Sequence, residues 1–176
     1  MGLFDIFKKR EPAAPAKPES VAAEASADVL AAPCSGKVIA MTSVPDAVFA
    51  GEMMGKGCAI WPDADVVYAP CDAEVSVTMG HAVGMTSTDG VEVLVHVGVD
   101  TVEMNGKGFT AYVSQGDTVK AGQPLMSIDR KAIAEAGHPD CVVLIVSNTS
   151  DFAAVDMAVE AESTVAAGQA VVKISR

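Results

Sequence analysis

The chain has 176 residues, of which half are apolar and only 5% aromatic, so we expect one domain with a core of aliphatic side chains and methionine. Its 12 basic and 23 acidic residues give a formal charge of −11, which argues against nucleic-acid binding because phosphate backbones attract basic surfaces. We find neither an apolar run long enough to span a bilayer nor the pattern of a secretory signal, so a cytoplasmic protein is expected.

Composition divides the chain into three parts. Residues 1–10 are basic, and their apolar side chains recur at helical spacing. Such a segment suits the surface of an anionic membrane and would make the protein peripheral at the inner face; a frayed terminus is the alternative. Residues 11–28 are rich in Pro, Ala and Glu, which predicts a disordered linker. Residues 29–176, with 8 basic and 18 acidic side chains, are expected to form the domain.

Short runs rich in Val and Ile predict β-strands within this domain. They are Lys37–Met41, Val66–Ala69, Glu74–Met79, Val91–Val97, Leu125–Ile128, Cys141–Ser147 and Ala170–Ile174. A short helix is predicted over Arg130–Gly137, and a further helical turn within Ser147–Val155. Because Gly, Pro and Asp cluster between the runs, the pattern favours an all-β sandwich or barrel with short helical turns.

Two internal repeats sharpen the prediction of the fold. The run from Ala32 to Val38 recurs from Ala69 to Val75, and the run from Thr118 to Gln123 recurs from Thr164 to Gln169. Turns of this kind are typical of lipoyl- and biotinyl-type β-sandwiches. Because each turn occurs twice, we expect a duplicated, interlocked form of this fold, a hybrid-motif β-sandwich or barrel. A lipoyl or biotinyl carrier would need a lysine between apolar neighbours, whereas Lys56 and Lys107 are each flanked by glycines.

Two of the three histidines are predicted to lie close together. Along Val91–Val97 the valines alternate with Glu, Leu and His, so His96 points away from the core face. If Asp89-Gly90 forms a two-residue turn, His81 lies on the neighbouring strand two positions away from His96. Same-face diagonal neighbours are within reach of each other. The third histidine, His138, is expected in a loop.

The spacing of these histidines leaves three interpretations open. Histidine is nucleophilic near neutral pH, so the pair could accept a phosphoryl group. Together with Asp100, His81 and His96 could also form a zinc site of the hydrolase type. The third alternative is two ordinary histidines on a polar sheet face.

The four cysteines contain no CxxC pair and are expected to be free thiols.

One stretch decides between these interpretations by its resemblance to a known family. The run from Val95 to Glu103 reads VHVGVDTVE and is followed by Gly106-Lys107-Gly108-Phe109. It resembles the glucose-type IIA component of the bacterial phosphoenolpyruvate-dependent sugar phosphotransferase system. Further matching segments are Val44–Ala50, Gly80-His81-Ala82, Gly116-Asp117-Thr118-Val119 and Val146-Ser147-Asn148.

The resemblance implies a phosphotransferase component that carries phosphate on histidine and needs no cofactor. It implies that His96 accepts the phosphoryl group, and that His81 stabilises this group and passes it on. It further implies that Asp46 and Asp100 flank the site, and that the Gly98 carbonyl accepts a hydrogen bond from Nδ1 of His96, which leaves Nε2 as the nucleophile.

An apolar surface for partner proteins is also implied. Family members place a threonine two residues before the second histidine, where this chain has Met79, so Thr78 is the nearest supporting hydroxyl. The implied docking positions are Val48, Phe49, Met54, Val77, Leu94 and Val102.

The implied partners are the histidine-containing phosphocarrier protein as donor and the IIB/IIC sugar permease as acceptor. Three alternatives are kept. One is a zinc hydrolase of the same fold, and the second is a zinc site at His81 and His96 that a partner completes. The third is a purely regulatory protein that binds other target proteins according to its phosphorylation state.

Overall fold

The structure is a computed structural model that describes residues 16–176. The amphipathic segment predicted over residues 1–10 lies outside the described residues. Within the described range no helix is both long enough and apolar enough to cross a membrane.

Fourteen strands occupy the described part of the chain, and they confirm the all-β fold. In chain order they are β1 Val29–Ala31, β2 Gly36–Ala40, β3 Lys56–Pro62, β4 Val66–Tyr68, β5 Ala73–Met79, β6 Ala82–Ser87, β7 Glu92–Val97, β8 Phe109–Ala111, β9 Thr118–Val119, β10 Pro124–Ile128, β11 Val142–Val146, β12 Ala154–Met157, β13 Thr164–Val165 and β14 Ala170–Ser175. The helical turns are α1 Ala47–Ala50, α2 Arg130–Glu135 and three short 3₁₀ turns at Met41–Ser43, Thr101–Met104 and Thr149–Asp151.

The strands form one large sheet and two small ones. The large sheet has eight strands in the order β13-β2-β3-β11-β7-β6-β5-β9, and the small sheets run β1-β14-β12 and β4-β10-β8. Neighbouring strands are antiparallel throughout. Because β11 lies in the middle of the large sheet, all five of its residues are buried, and its sequence VVLIV is apolar on both faces.

Both faces of the large sheet carry apolar clusters. The main core fills one face and joins the sheet to the two small sheets. A second cluster lies on the other face, where residues 41–55, here called the cap segment, cross the sheet between β2 and β3. Phe49 of α1 is the largest side chain that the cap segment contributes to this cluster. The cap segment therefore packs against apolar side chains that β2, β3 and β11 themselves present on this second face.

The structure corrects the predicted strands, because seven of its strands have no counterpart among the predicted runs. The missed strands are β1, β3, β6, β8, β9, β12 and β13. Strand β3 was missed because its sequence KGCAIWP has a glycine at its second position and shows no alternation. The turn after β6 also differs. Thr86 pairs with Glu92, and the N–H of Ser87 donates to the Val91 carbonyl at 2.8 Å, so the loop between Ser87 and Val91 contains three residues instead of the predicted two. The Ser87 side chain accepts hydrogen bonds from the backbone of Asp89 and Val91 at 3.3 and 3.0 Å, which holds this longer loop.

The chain before the first strand is also more ordered than its composition suggests. The backbone N–H of Val21 donates to the Gly122 carbonyl at 3.0 Å, and that of Glu24 donates to the Gly168 carbonyl at 2.7 Å. The two glycines occupy equivalent positions in the second repeat. From Val21 onward, the linker predicted as disordered over residues 11–28 therefore lies against both copies of that repeat.

Candidate functional site

Strand β7 places His96 on the sheet face that the cap segment covers. The valines of β7 are buried in the main core, whereas Glu92, Leu94 and His96 alternate to the other face, as the sequence predicts. The neighbours of His96 in the sheet are Ala82 on β6 and Val143 on β11. Since Val143 belongs to the second cluster, His96 lies beside this cluster and away from the main core.

A tight hairpin places His81 next to His96. Met79 pairs with Ala82, so Gly80 and His81 form the two-residue turn between β5 and β6. The His81 carbonyl accepts a hydrogen bond from Val97 N–H at 2.8 Å, which anchors the turn to β7. The two imidazole rings lie 4.7 Å apart, centroid to centroid, at an angle of 79°, and His81 is only 6% exposed. The predicted proximity holds, although the register differs by one residue.

The cap segment supplies an aromatic wall to the pair. Asp46 caps α1, because its side chain accepts hydrogen bonds from the backbone N–H groups of Val48 and Phe49 at 2.9 and 3.0 Å. This cap fixes the turn that carries Phe49, whose ring lies 5.0 Å from the His96 ring in an edge-on arrangement. Asp46 thus positions a neighbour of His96 through the backbone.

Burial keeps both histidines neutral. It lowers the pKa of His96 to about 4. The charge that His81 would carry when protonated adds to this effect, while Gly98, Asp46 and Asp100 oppose it. Burial also lowers the pKa of His81. At neutral pH each ring therefore retains a nitrogen lone pair.

Gly98 shapes the backbone directly after His96. It has a φ of +77°, its N–H donates to the Cys141 carbonyl at 2.8 Å, and a Cβ would lie 2.3 Å from the Thr101 side chain. The Nδ1 atom of His96 is buried and, among residues 16–176, has no partner at full hydrogen-bonding geometry. The Gly98 backbone is nevertheless near enough to raise the pKa of His96. No hydrogen bond joins Nδ1 of His96 to the Gly98 carbonyl in the described residues, so the predicted contact stays a prediction.

Six large apolar side chains are exposed in the described part of the chain, and we call them the apolar rim. Four of them, Val48, Met54, Val77 and Val102, were predicted as docking positions. The other two, Met53 and Met79, were missed, although Met79 stands where relatives carry threonine. Phe49 is buried and Leu94 half-buried, so these two predicted docking residues belong to the second cluster beneath the rim. Exposures are Val48 43%, Met53 77%, Met54 42%, Val77 41%, Met79 44% and Val102 60%.

Two predicted residues do not join the pair. Thr78 pairs with Val83, and Val83 pairs with Val95. Paired residues share a face of the sheet, and both valines face the main core, so Thr78 lies on the opposite face from His96. Asp100 is exposed at the start of the 3₁₀ turn after β7, with a φ of +57°. Across residues 16–176 no three His, Cys, Asp or Glu side chains are grouped to hold a metal ion, so nothing supports the zinc hydrolase alternative.

Comparisons with known proteins identify the family of the chain. Residues 28–152 match the family described as phosphoenolpyruvate-dependent sugar phosphotransferase system, EIIA 1. The chain belongs to this family. A glucose-specific EIIA component from Bacillus cereus is 43% identical over 124 residues, which cover 69% of this chain and 75% of the relative. The solved structure of glucose permease IIA from Mycoplasma capricolum matches with a TM-score of 0.73 at 31% identity, covering 82% of this chain and 93% of that one.

Other EIIA relatives are much longer. The β-glucoside-specific EIIBCA component of Bacillus subtilis is 40% identical over 131 residues, which cover 73% of this chain but only 22% of the relative. The chain therefore spans about a fifth of such fused relatives. As an EIIA protein it has the predicted β-sandwich fold and a phosphocarrier role in sugar phosphotransfer, which makes it a phosphotransferase component.

Proposed function

We propose that His96 accepts a phosphoryl group on Nε2 from a histidine-containing phosphocarrier protein and passes it to the IIB domain of a glucose-family permease. The observation that carries this proposal is a pair of partly desolvated imidazoles 4.7 Å apart, set beside exposed apolar side chains. A nucleophile needs a free lone pair, and burial supplies it by lowering the pKa of His96 to about 4. The apolar rim offers the surface on which a protein donor can dock.

The transfer exchanges one phosphorus–nitrogen bond for another. The Nε2 lone pair of His96 attacks phosphorus in line while the bond to the donor's imidazole breaks, and the electron pair of that bond returns to the donor's ring. Nδ1 of His96 is buried, which leaves Nε2 as the ring nitrogen for the transfer. His81, against the same ring, donates a hydrogen bond to a phosphoryl oxygen and holds the group for the onward step.

The fused relatives support the choice of acceptor. In the β-glucoside-specific EIIBCA component of Bacillus subtilis and the mannose-specific EIIBCA component of Corynebacterium glutamicum, the matching region belongs to one chain with EIIB and EIIC. A free-standing EIIA domain would meet the same kind of acceptor by docking. The membrane contact of residues 1–10 would bring it close to a permease, and this contact stays a prediction.

Reconstitution tests the acceptor residue. The protein is incubated with labelled phosphoenolpyruvate, enzyme I and the phosphocarrier protein, and acid-labile phosphate is counted. We expect His96→Gln to abolish labelling and His138→Gln, the matched control, to preserve it, because His138 lies in a loop next to Glu103 and outside the pair. Full labelling of the His96→Gln variant would overturn the assignment.

A second variant separates acceptance from onward transfer. We expect His81→Gln to be labelled by the phosphocarrier protein but to transfer phosphate slowly to a IIB domain, because its amide replaces an imidazole that donates to the phosphoryl group. If His81→Gln lost both steps equally, the two histidines would not have the proposed division of roles. The identity of the IIB domain that accepts the label would also define the sugar class.

A further inference from the structure

Three of the exposed side chains of the apolar rim are methionines. Met53 and Met54 lie in the cap segment directly after α1, and the backbone N–H of Met53 donates to the Val48 carbonyl at 3.2 Å. Met79 pairs with Ala82, and Ala82 pairs with His96. Met79 therefore lies on the same face of the sheet as His96, two strands away, with about 10 Å between the backbones of the two residues. Their exposures of 77%, 42% and 44% leave the thioethers open to solvent.

The other sulfur atoms in the described chain are less accessible, and the methionines among them outside the cores, Met104 and Met157, are partly buried. Three methionines in the cores, Met41, Met85 and Met126, are at most 2% exposed. The four cysteines are buried, and burial raises the pKa of Cys58, Cys71 and Cys141 to about 12 and raises that of Cys34 as well. Since oxidants attack thiolates and exposed thioethers, the structure concentrates oxidisable sulfur beside the histidine pair.

We propose that Met53, Met54 and Met79 are modification sites for peroxides, and that their oxidation switches the apolar rim from binding partner proteins to repelling them. The inference rests on the proposed function, because it needs the rim to be the docking surface. A sulfoxide is polar, and its oxygen must keep its hydration, which an apolar partner surface cannot replace. The modification therefore acts on docking and leaves the chemistry of His96 intact.

The reaction is a two-electron oxidation of each thioether. A sulfur lone pair attacks one oxygen of hydrogen peroxide, the S–O bond forms and the O–O bond breaks. The proton on the transferred oxygen passes to the departing hydroxide, which leaves as water. The sulfur is oxidised and the peroxide reduced. Methionine sulfoxide reductases reverse the change, so the modification can be removed.

The test compares a protein donor with a small one. The full chain is treated with hydrogen peroxide, and peptide mass spectrometry locates the added oxygen atoms, which we expect at Met53, Met54 and Met79 before the core methionines. Labelling of His96 by the phosphorylated carrier protein, below saturation, should slow by about tenfold. Labelling by phosphoramidate should keep its rate, because this small donor needs no docking surface.

Leucine variants supply the matched control. The combined change Met53→Leu, Met54→Leu and Met79→Leu keeps the rim apolar but cannot form sulfoxide, so its transfer rate should resist peroxide. The variant Met157→Leu alters a half-buried methionine on β12, away from the rim, and should stay sensitive. The proposal is overturned if the triple variant loses activity like the parent, if oxidised parent transfers at the untreated rate, or if phosphoramidate labelling slows equally. Failure of the untreated parent to accept phosphate on His96 would instead refute the proposed function.

Discussion

The low pKa of His96 gives the sharpest prediction for the isolated protein. Burial and the neighbouring His81 lower this pKa from 6.5 to about 4, which corresponds to about 3 kcal/mol of disfavoured protonation. At pH 6 an ordinary histidine is about three-quarters protonated, whereas His96 would be about 1% protonated. His96 would therefore keep a free nitrogen lone pair throughout the physiological pH range, as the proposed phosphate acceptance requires.

An NMR titration measures this directly. The carbon-bound ring protons of His96 are followed from pH 8 to pH 4 in the variant His138→Gln, which leaves only two histidine signals to assign. The same chain in concentrated urea gives the unfolded reference near pH 6.5. We expect no inflection for folded His96 between pH 8 and pH 5.5. An inflection near 6.5 in the folded protein would refute the argument from burial.

The variant His81→Gln separates the two causes. It removes a neighbouring group that can become positively charged but leaves the Phe49 wall and the sheet around His96 in place, so the pKa of His96 should rise while staying below 6.5.

The pH dependence of stability follows from the same lowered pKa. The folded chain binds fewer protons than the unfolded chain between pH 6.5 and pH 4, so its free energy of unfolding falls as the pH falls through this window. His96→Gln should reduce that loss by up to about 3 kcal/mol, measured by urea unfolding at pH 7 and pH 4.5.

Three further variants test the surroundings of the pair. Asp46→Ala should cost about 1 kcal/mol in thermal unfolding and slow phosphate acceptance, whereas Asp46→Asn, which can still cap α1, should be close to the parent. Gly98→Ala should cost about 2 kcal/mol or more, because φ is +77° and the added Cβ overlaps its surroundings; a melting temperature equal to the parent would contradict this. Gly168→Ala should release the chain near Ala22, whose carbonyl would lie 2.0 Å from the new Cβ, so hydrogen exchange at the Glu24 amide should accelerate. Unchanged protection at Glu24 would refute that contact.

The orientation of His96 could be predicted from sequence because it depends on one strand alone. Alternation along Val91–Val97 assigns the valines to the core and His96 to the other face, and no distant residue alters that assignment. The proximity of His81 also follows from a local hairpin. A register error of one residue did not separate the pair, because His81 lies in the turn at the end of its strand, outside the regular alternation.

The position of Thr78 could not be predicted in this way. Regular alternation from buried Val75 would turn Thr78 toward the face of His96 and Val77 toward the core. The structure has a register shift between Val75 and Val77, which exchanges the two faces for the rest of β5. As a result Val77 and Met79 are exposed beside His96, while Thr78 faces inward. A single inserted residue leaves no signature in the sequence pattern.

The cap segment shows a second limit. Asp46 and Phe49 look like parts of a loop between strands, and α1 has only four residues, too few for a helical pattern to be recognised. The position of α1 depends on β3, whose sequence does not resemble a strand. The place of β3 in the sheet brings the cap segment over Val143 and Ile145. Contacts of this kind join residues far apart in sequence, so the position of the cap segment cannot be predicted from its own sequence.

The charges around His96 favour release of the phosphoryl group that the proposed function places there. The ionisable groups that act on the pKa of His96 are His81, Asp46 and Asp100, and this set contains no lysine or arginine. A phosphoryl group on His96 would therefore lie close to the His81 imidazole and within electrostatic reach of the Asp46 and Asp100 carboxylates, in a domain that is itself strongly acidic. Carboxylates raise the energy of a nearby dianion, whereas a basic cluster would trap it. The site suits a phosphoryl group that is held briefly by His81 and released to a partner with a more basic surface.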